Sequence, residues 1–290
     1  MSLLATGRGP VLQMVPSSFA PSNLPRTSLR VEFAGGGGWE LAGIIDRPES
    51  SARHFVVFSH CFTCNKDLKA IVRISRALAE SGVAVLRYDM TGLGDSRGEF
   101  AETNLTTQLA DLAAAIAFAR KHFGRVDALM GHSFGGLASL MTAGTPPMRH
   151  SDLTAVITLA APNDSVHLAK LLATMNPAIE REGEGEVVIG GRKWRIPLAM
   201  LEDFRRHDAE AALGRVDVPV LSFHSPDDET VSIDHQRRIA ETVPTEVTAI
   251  PLSGSDHLMT RRQSDLGYVA DVTAAFLARQ TSSDASKPVV

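Results

Sequence analysis

Three residue types scattered along the chain have the chemistry to activate a hydroxyl for attack on an acyl carbon. Ser133 lies in Gly131-His132-Ser133-Phe134-Gly135-Gly136, two adjacent carboxylates lie in His224-Ser225-Pro226-Asp227-Asp228-Glu229, and His257 lies in Gly254-Ser255-Asp256-His257-Leu258. A serine hydroxyl is a weak nucleophile near neutral pH and needs a base within hydrogen-bond reach. An imidazole suits that task because its ordinary pKa is close to the working pH. A carboxylate behind the imidazole fixes its tautomer and stabilises the imidazolium that forms. Asp228 is the expected acid, with Asp227 the alternative and otherwise a turn residue or a neighbour of the site. His60, His132 and His224 are expected to be structural.

For these groups to meet, each must stand at the same rim of a sheet. Residues 126–130 read as a short buried strand and residues 137–143 as a helix of good helix formers. Ser133 therefore sits on a strand-to-helix turn of the G-x-S-x-G kind, the nucleophile elbow, which strains the serine backbone and lifts its hydroxyl. Gly131 and Gly135 are expected where a side chain would collide with the neighbouring strand or helix. Phe134 places its backbone N–H in the first helical turn, where donors have no intrahelical partner and the helix dipole favours a developing oxyanion.

The rest of the chain supplies such a sheet. Residues 28–33 alternate as a strand, Gly35 to Gly38 turn, and residues 39–46 return as the second arm of a hairpin. Residues 54–59 are continuously apolar, as in a strand buried on both faces. Helical spacing follows over 68–80, then a buried strand over 83–88, a long amphipathic helix over 105–122 stopped by Gly124, and a strand over 155–159. Two helical patterns at 166–175 and 197–207 then bracket residues 186–196, a hairpin with Gly190-Gly191 at its tip. Strand, helix, strand and helix resume at 218–223, 234–241, 245–252 and 265–279. This alternation predicts an α/β fold: a mostly parallel, eight-stranded, doubly wound sheet with a small cap insertion after the sixth strand. The expected organisation is a flexible arm over 1–27, a core over 28–161 and 214–280, the cap over 162–213, and a disordered tail over 281–290. Ser133, Asp227/Asp228 and His257 then follow the fifth, seventh and eighth core strands, at carboxyl ends where such sheets bind ligands.

Composition narrows the alternatives. A chain of 290 residues with 44% hydrophobic and 21% charged content can bury a sizeable core. A net charge of −4 without a basic stripe excludes a nucleic-acid binder, and no apolar run reaches the length of a membrane span. The loop Asp89-Met90-Thr91-Gly92-Leu93-Gly94-Asp95-Ser96-Arg97-Gly98 invites a dinucleotide reading, but Arg97 occupies the place of the third glycine. Cys61 and Cys64 are the only cysteines, too few for a secreted disulfide scaffold, which favours a cytoplasmic location. Their C-x-x-C spacing admits a redox or zinc reading, set against a loop of packed thiols. No cofactor or metal is expected.

From about Leu29 to Arg279 the chain resembles the α/β-hydrolase superfamily, whose triad partners come in the order serine, acid, histidine. More narrowly, His60-Cys61-Phe62-Thr63-Cys64-Asn65-Lys66-Asp67, Asp89-Met90-Thr91-Gly92-Leu93-Gly94, His224-Ser225-Pro226-Asp227-Asp228-Glu229-Thr230-Val231 and Asp256-His257-Leu258-Met259-Thr260-Arg261-Arg262 are similar to the hydrolase half of bifunctional proteins that carry an OsmC-like peroxide-reducing domain. No OsmC-like half is expected here. The resemblance implies Ser133, Asp228 and His257 as a catalytic triad. It also implies Phe62 as a second oxyanion donor beside Phe134, with Cys61 standing where many hydrolases have glycine. The expected activity is cleavage of a carboxylic ester or related small acyl substrate through an acyl-enzyme. Thioesterase, lactonase, perhydrolase and peptidase activity remain open on the same triad, as does a non-catalytic ligand-binding role. Leu172, Met175, Trp194 and Met200 of the cap, with Leu168 and Leu171 beside them, are expected to line an apolar substrate pocket.

Overall fold

The computed structural model describes residues 24–148 and 151–284. Its first two strands, β1 (Arg26–Ala34) and β2 (Glu40–Pro48), form an antiparallel hairpin. The chain then enters β3 (His54–Ser59), crosses through α1 (Lys69–Glu80) and returns in β4 (Val83–Tyr88). A short 3-10 turn, Phe100–Glu102, leads to α2 (Leu105–Phe123), β5 (Ala128–His132) and α3 (Phe134–Ala143), and β6 (Ala155–Leu159) follows. Next come α4 (Val166–Met175), α5 (Ala178–Glu182), β7 (Glu184–Ile189), β8 (Arg192–Pro197), α6 (Leu198–Arg206) and α7 (Ala209–Leu213). The fold closes with β9 (Val220–His224), α8 (Asp234–Thr242), β10 (Val247–Pro251) and α9 (Ser264–Asp284).

Eight strands make one sheet in the order β1-β2-β4-β3-β5-β6-β9-β10, while β7 and β8 pair separately. Within the eight-stranded sheet only the β1–β2 and β2–β4 contacts are antiparallel. From β4 through β10 every neighbouring pair is parallel, which requires the helical crossovers that the alternating sequence announces. The continuous apolar strands are explained by two-sided burial. Phe55 and Val57 of β3 face the layer containing α2 and α3, whereas Val56 and Phe58 face α1 and α9. Strand β3 lies between β4 and β5, so the chain's direction of progress reverses there, and a crevice opens at the carboxyl ends of β3 and β5.

Several boundaries differ from the sequence reading for local reasons. Strand β5 begins at Ala128 because Val126 N–H is taken by the Asp152 carboxylate and the Asp127 carboxylate receives Phe55 N–H at 2.7 Å. The arm expected over 1–27 already joins the sheet at Arg26, where Arg26 and Thr27 pair with Pro48 and Arg47; its residues 1–23 lie outside the described residues. Helix α9 continues past Arg279 to Asp284, because no glycine or proline stops it there; residues 285–290 of the expected tail lie outside the described residues. Helices α5 and α7, five residues each, are too short to leave a periodic signal. Between β6 and β9, Ile179, Val187, Ile196, Met200 and Phe204 are buried in the same apolar layer as α2 and α3.

Candidate active site

Ser133 sits between the last residue of β5 and the first of α3, with φ 53° and ψ −119°. This left-handed conformation is costly for a residue with a side chain, and the surroundings over-determine it. A Cβ on Gly131 would stand 2.1 Å from Gly135 O, and one on Gly135 would stand 2.3 Å from Ser59 O. Ser133 N–H donates to Leu159 O at 2.7 Å, and Gly136 N–H donates to Ser133 O at 2.8 Å.

Two loops from the far side of the sheet converge on that hydroxyl. His257 Nε2 is 3.0 Å from Ser133 Oγ, and His257 Nδ1 is 2.7 Å from Asp228 Oδ2. Asp228 is buried, and its second oxygen, Oδ1, accepts Thr230 N–H at 2.8 Å and Val231 N–H at 2.9 Å. Burial pushes its carboxyl up, but the hydrogen bond and charge of His257 and the two loop amides outweigh that and hold it below the usual range. An ionised Asp228 accepts a hydrogen bond from His257 Nδ1–H, which keeps the proton on Nδ1 and leaves Nε2 free to accept from the serine hydroxyl. Asp227 faces elsewhere: its carboxylate accepts Gly254 N–H at 2.7 Å and so ties the Asp loop to the His loop. His224 Nε2 donates to Val231 O at 2.8 Å, and burial pushes the His224 pKa down. His132 Nε2 donates to His257 O at 2.7 Å.

The loop after β3 faces the elbow. His60 Nδ1 donates to Cys61 O at 2.8 Å and His60 Nε2 accepts Met90 N–H at 3.1 Å, so both ring nitrogens are occupied. Burial keeps this imidazole neutral. Cys61 and Cys64 are joined in a disulfide, which corrects the expectation of packed thiols: the turn closed by Cys64 N–H to Cys61 O brings their Cα atoms to 5.3 Å. With His60 engaged and both sulfurs bonded, the zinc reading loses its ligands. Among the described residues no backbone carbonyl receives Phe62 N–H, and Phe134 N–H is at the first position of α3.

The base of that loop is held by charge. Lys66, 4% exposed, donates from Nζ to Asp89 Oδ2 at 2.8 Å and Asp95 Oδ2 at 2.6 Å, and its N–H donates to Asp89 Oδ1 at 2.6 Å. Burial alone would lower the Lys66 pKa, but the Asp89 and Asp95 hydrogen bonds raise it well above the usual range. Arg87 donates from Nη1 to Lys66 O at 2.8 Å and from Nε to Asp46 Oδ2 at 2.8 Å. The glycine-rich stretch after β4 thus packs against this lysine and leads into a 3-10 turn rather than the helix N-terminus that a dinucleotide site needs.

The residues expected to line a pocket do not gather. Leu172 and Met200 are packed in the core, Met175 is 43% exposed on the outer side of α4, and Trp194 meets Phe100 edge-on with centroids 4.6 Å apart. A small cavity of about 20 Å³, room for about one water, lies instead beside Phe62 and Phe134, lined also by Met90, Leu93, Phe100, Asn104 and Gln108. Gln108 was legible as a polar residue on the buried face of α2, three positions after Leu105 and four before Leu112.

Known proteins share this fold. A family profile described as "Serine aminopeptidase, S33" matches residues 50–188. The solved structure of the esterase domain from a Rhodothermus marinus protein is 34% identical, with 87% of this chain and 98% of that chain covered and a TM-score of 0.68. Est1E from Butyrivibrio proteoclasticus, solved with ferulic acid bound, shares the fold at 24% identity and a TM-score of 0.70, covering 87% of this chain and all 100% of its own. The palmitoyl-protein thioesterase ABHD10 of Rattus norvegicus, described as mitochondrial, is 26% identical over 210 residues, which are 70% of this chain and 69% of that protein.

Proposed function

Since the chain belongs to the α/β-hydrolase superfamily, we propose that it is a serine hydrolase that cleaves a carboxylic ester or related acyl substrate through an acyl-enzyme. The observation that carries this reading is the unbroken relay from Ser133 Oγ to His257 Nε2 at 3.0 Å and from His257 Nδ1 to Asp228 Oδ2 at 2.7 Å. In the proposed reaction, His257 Nε2 takes the hydroxyl proton as Ser133 Oγ bonds to the acyl carbon. The carbonyl oxygen becomes an oxyanion between the N–H groups of Phe62 and Phe134. The imidazolium returns its proton to the leaving oxygen as the acyl–oxygen bond breaks. A water, deprotonated by the same nitrogen, then releases the acid and restores Ser133.

A thioester is the second reading, favoured by the likeness to a palmitoyl-protein thioesterase. Cleavage of it uses the same groups, with a thiolate leaving in place of an alkoxide. The expected result is covalent labelling of wild type, but not of Ser133→Ala, by a fluorophosphonate probe. A panel of oxygen and sulfur esters of matched acyl length then ranks the two readings. A folded wild type that resists the probe and turns over no panel member would return the chain to the non-catalytic reading.

The cytoplasmic placement is kept as part of this proposal, and the Cys61–Cys64 disulfide is the feature that argues against it. Thiol trapping of the protein in cells tests it. Among the described residues no helix is long and apolar enough to cross a membrane. The narrower kinship with OsmC-fused hydrolases is likewise proposed, on the motifs at 60–67, 89–94, 224–231 and 256–262.

A further inference from the structure

The carboxylate that meets His257 is held by a turn that two further histidines grip. Asp228 Oδ1 accepts the N–H groups of Thr230 at 2.8 Å and Val231 at 2.9 Å. The carbonyls of the same two residues are taken by imidazoles. His167 Nε2 donates to Thr230 O at 3.0 Å, and His224 Nε2 donates to Val231 O at 2.8 Å. Thr230 C=O and Val231 N–H belong to one planar peptide group. The bond from His167 and the bond to Asp228 therefore lie at opposite ends of a single rigid unit.

The two histidines come from different parts of the molecule. His224 is the last residue of β9, is buried, and has Nε2 3.7 Å from Asp228 Oδ2. To donate to a carbonyl, Nε2 must carry the ring proton, which leaves Nδ1 an acceptor; it is buried and has no partner among the described residues. An orphaned acceptor has a cost that an apolar side chain of similar size would not incur, so filling space does not account for an imidazole here. His167 stands in the first turn of α4, within the insertion between β6 and β9. Asp164 Oδ1 accepts its N–H at 2.9 Å, and its ring meets that of His235 in α8 edge-on with centroids 4.9 Å apart.

We propose that His224 and His167 are positioning residues that act on the reaction through Asp228, and that His167 makes the insertion a working part of the site. The inference rests on the serine-hydrolase reading above. Hydrogen bonds in a chain polarise one another, so a donor on Thr230 O makes Val231 N–H a better donor to Asp228. Amides that point at a carboxylate favour its charged form and fix its direction. A carboxylate so fixed keeps His257 Nδ1–H aligned and Nε2 turned to Ser133. A shift of α4 reaches Asp228 through two hydrogen bonds and one peptide group.

The test follows 4-nitrophenyl acetate hydrolysis by His224→Leu, His224→Gln, His167→Leu and His167→Gln, each alone and combined with Asp228→Ala. In the leucine variants kcat should fall by about tenfold at position 224 and about threefold at 167, with KM within about twofold. Glutamine, whose amide can stand where Nε2–H stood, should restore most of each loss. With Asp228 replaced by alanine the same substitutions should cost nothing further, because residues that act through one carboxylate lose their effect with it. A loss that persists in the Asp228→Ala background, or that glutamine does not restore, overturns the inference, as does an unchanged kcat in both leucine variants. Proton NMR reads the clamp without turnover. The Nδ1–H of His257, in its 2.7 Å bond to Asp228, should resonate far downfield, move in both leucine variants and return in the glutamine ones. A signal absent from wild type, or unmoved by all four substitutions, overturns the inference. Should His224→Leu fail to fold, the His167 variants, at a half-buried position, carry the same tests. A protein that turns over no ester but shows these shifts loses the hydrolase reading and keeps the clamp.

Discussion

His132 Nε2 donates to the backbone carbonyl of His257 at 2.7 Å, so the residue before Ser133 grips the residue that reaches its hydroxyl. Burial and the neighbouring His257 push the His132 pKa down to about 3, so its imidazole stays neutral and keeps the donating hydrogen at any working pH. The two rings lie 5.1 Å apart, so ring contact and hydrogen bond together tie the His loop to the elbow. Replacing His132 with Phe keeps the bulk and removes the donor. The expected outcome is a kcat lower by about tenfold, the worth of one buried hydrogen bond, with KM little changed. Steady-state kinetics on the folded variant checks it; an unaltered kcat shows that the loop is held without this bond.

The adjacent aspartates should separate sharply. Asp228 faces His257 Nδ1, while Asp227 holds Gly254 N–H. Asp228→Asn presents the wrong partner to Nδ1 and should lower kcat by about 10³- to 10⁴-fold. Asp227→Asn keeps an acceptor for Gly254 and should cost less than about tenfold. Equal losses from the two substitutions would count against the assignment.

Much of this was written in the chain, and the reasons for the exceptions are physical. Strands β3, β4 and β6 could be read because two-sided burial leaves unbroken apolar runs. Ser133, Asp228 and His257 could be read because each lies at a strand end beside turn-forming residues. The small cavity could not be read, because its walls come from five separate segments: the loop of Phe62, the loop of Met90 and Leu93, the turn of Phe100, α2 with its cap at Asn104 and Gln108, and α3 at Phe134. Apolar side chains in the insertion, such as Leu172 and Met200, look the same in sequence whether they line a cleft or seal a core. The disulfide was equally hidden, since C-x-x-C spacing permits a closed turn, a metal site or two thiols.

That disulfide brackets Phe62, one of the two residues assigned to the oxyanion. Reduction removes the covalent closure and leaves the Cys64 N–H to Cys61 O turn, the Lys66 ion pairs and the His60 bonds in place. Activity should fall by about three- to tenfold, well short of the hundredfold or more that losing an oxyanion donor costs. Reoxidation should restore it, and a Cys61→Ser, Cys64→Ser variant should be insensitive to reductant. Identical rates in dithiothreitol and in its absence, with thiol titration proving reduction, would show that the loop needs no closure.

Stability should depend on pH through histidines buried in the neutral form. Burial foremost pushes His132 down to about 3 and His235 down to about 4, and it lowers His54, His60 and His224 as well. An unfolded chain protonates its histidines near pH 6.5, so below that value the unfolded state binds protons that the folded state refuses. Stability is therefore full above about pH 6.5 and falls as pH drops toward 4, by up to about 1.4 kcal/mol per pH unit for each such histidine. Asp111 acts in the opposite sense: burial raises its carboxyl, so acid relieves its penalty and offsets part of the loss. Asp228 and Asp67 are held low, and their contributions persist until pH falls below the ordinary carboxylate range. The window from about pH 6.5 to 4 thus belongs to the histidines. Urea midpoints should be level above neutrality and decline steadily through that window with constant slope m, and His132→Phe should make the decline shallower by one site. Midpoints that hold or rise on acidification from pH 7 to 5 would mean that these imidazoles are charged in the folded protein.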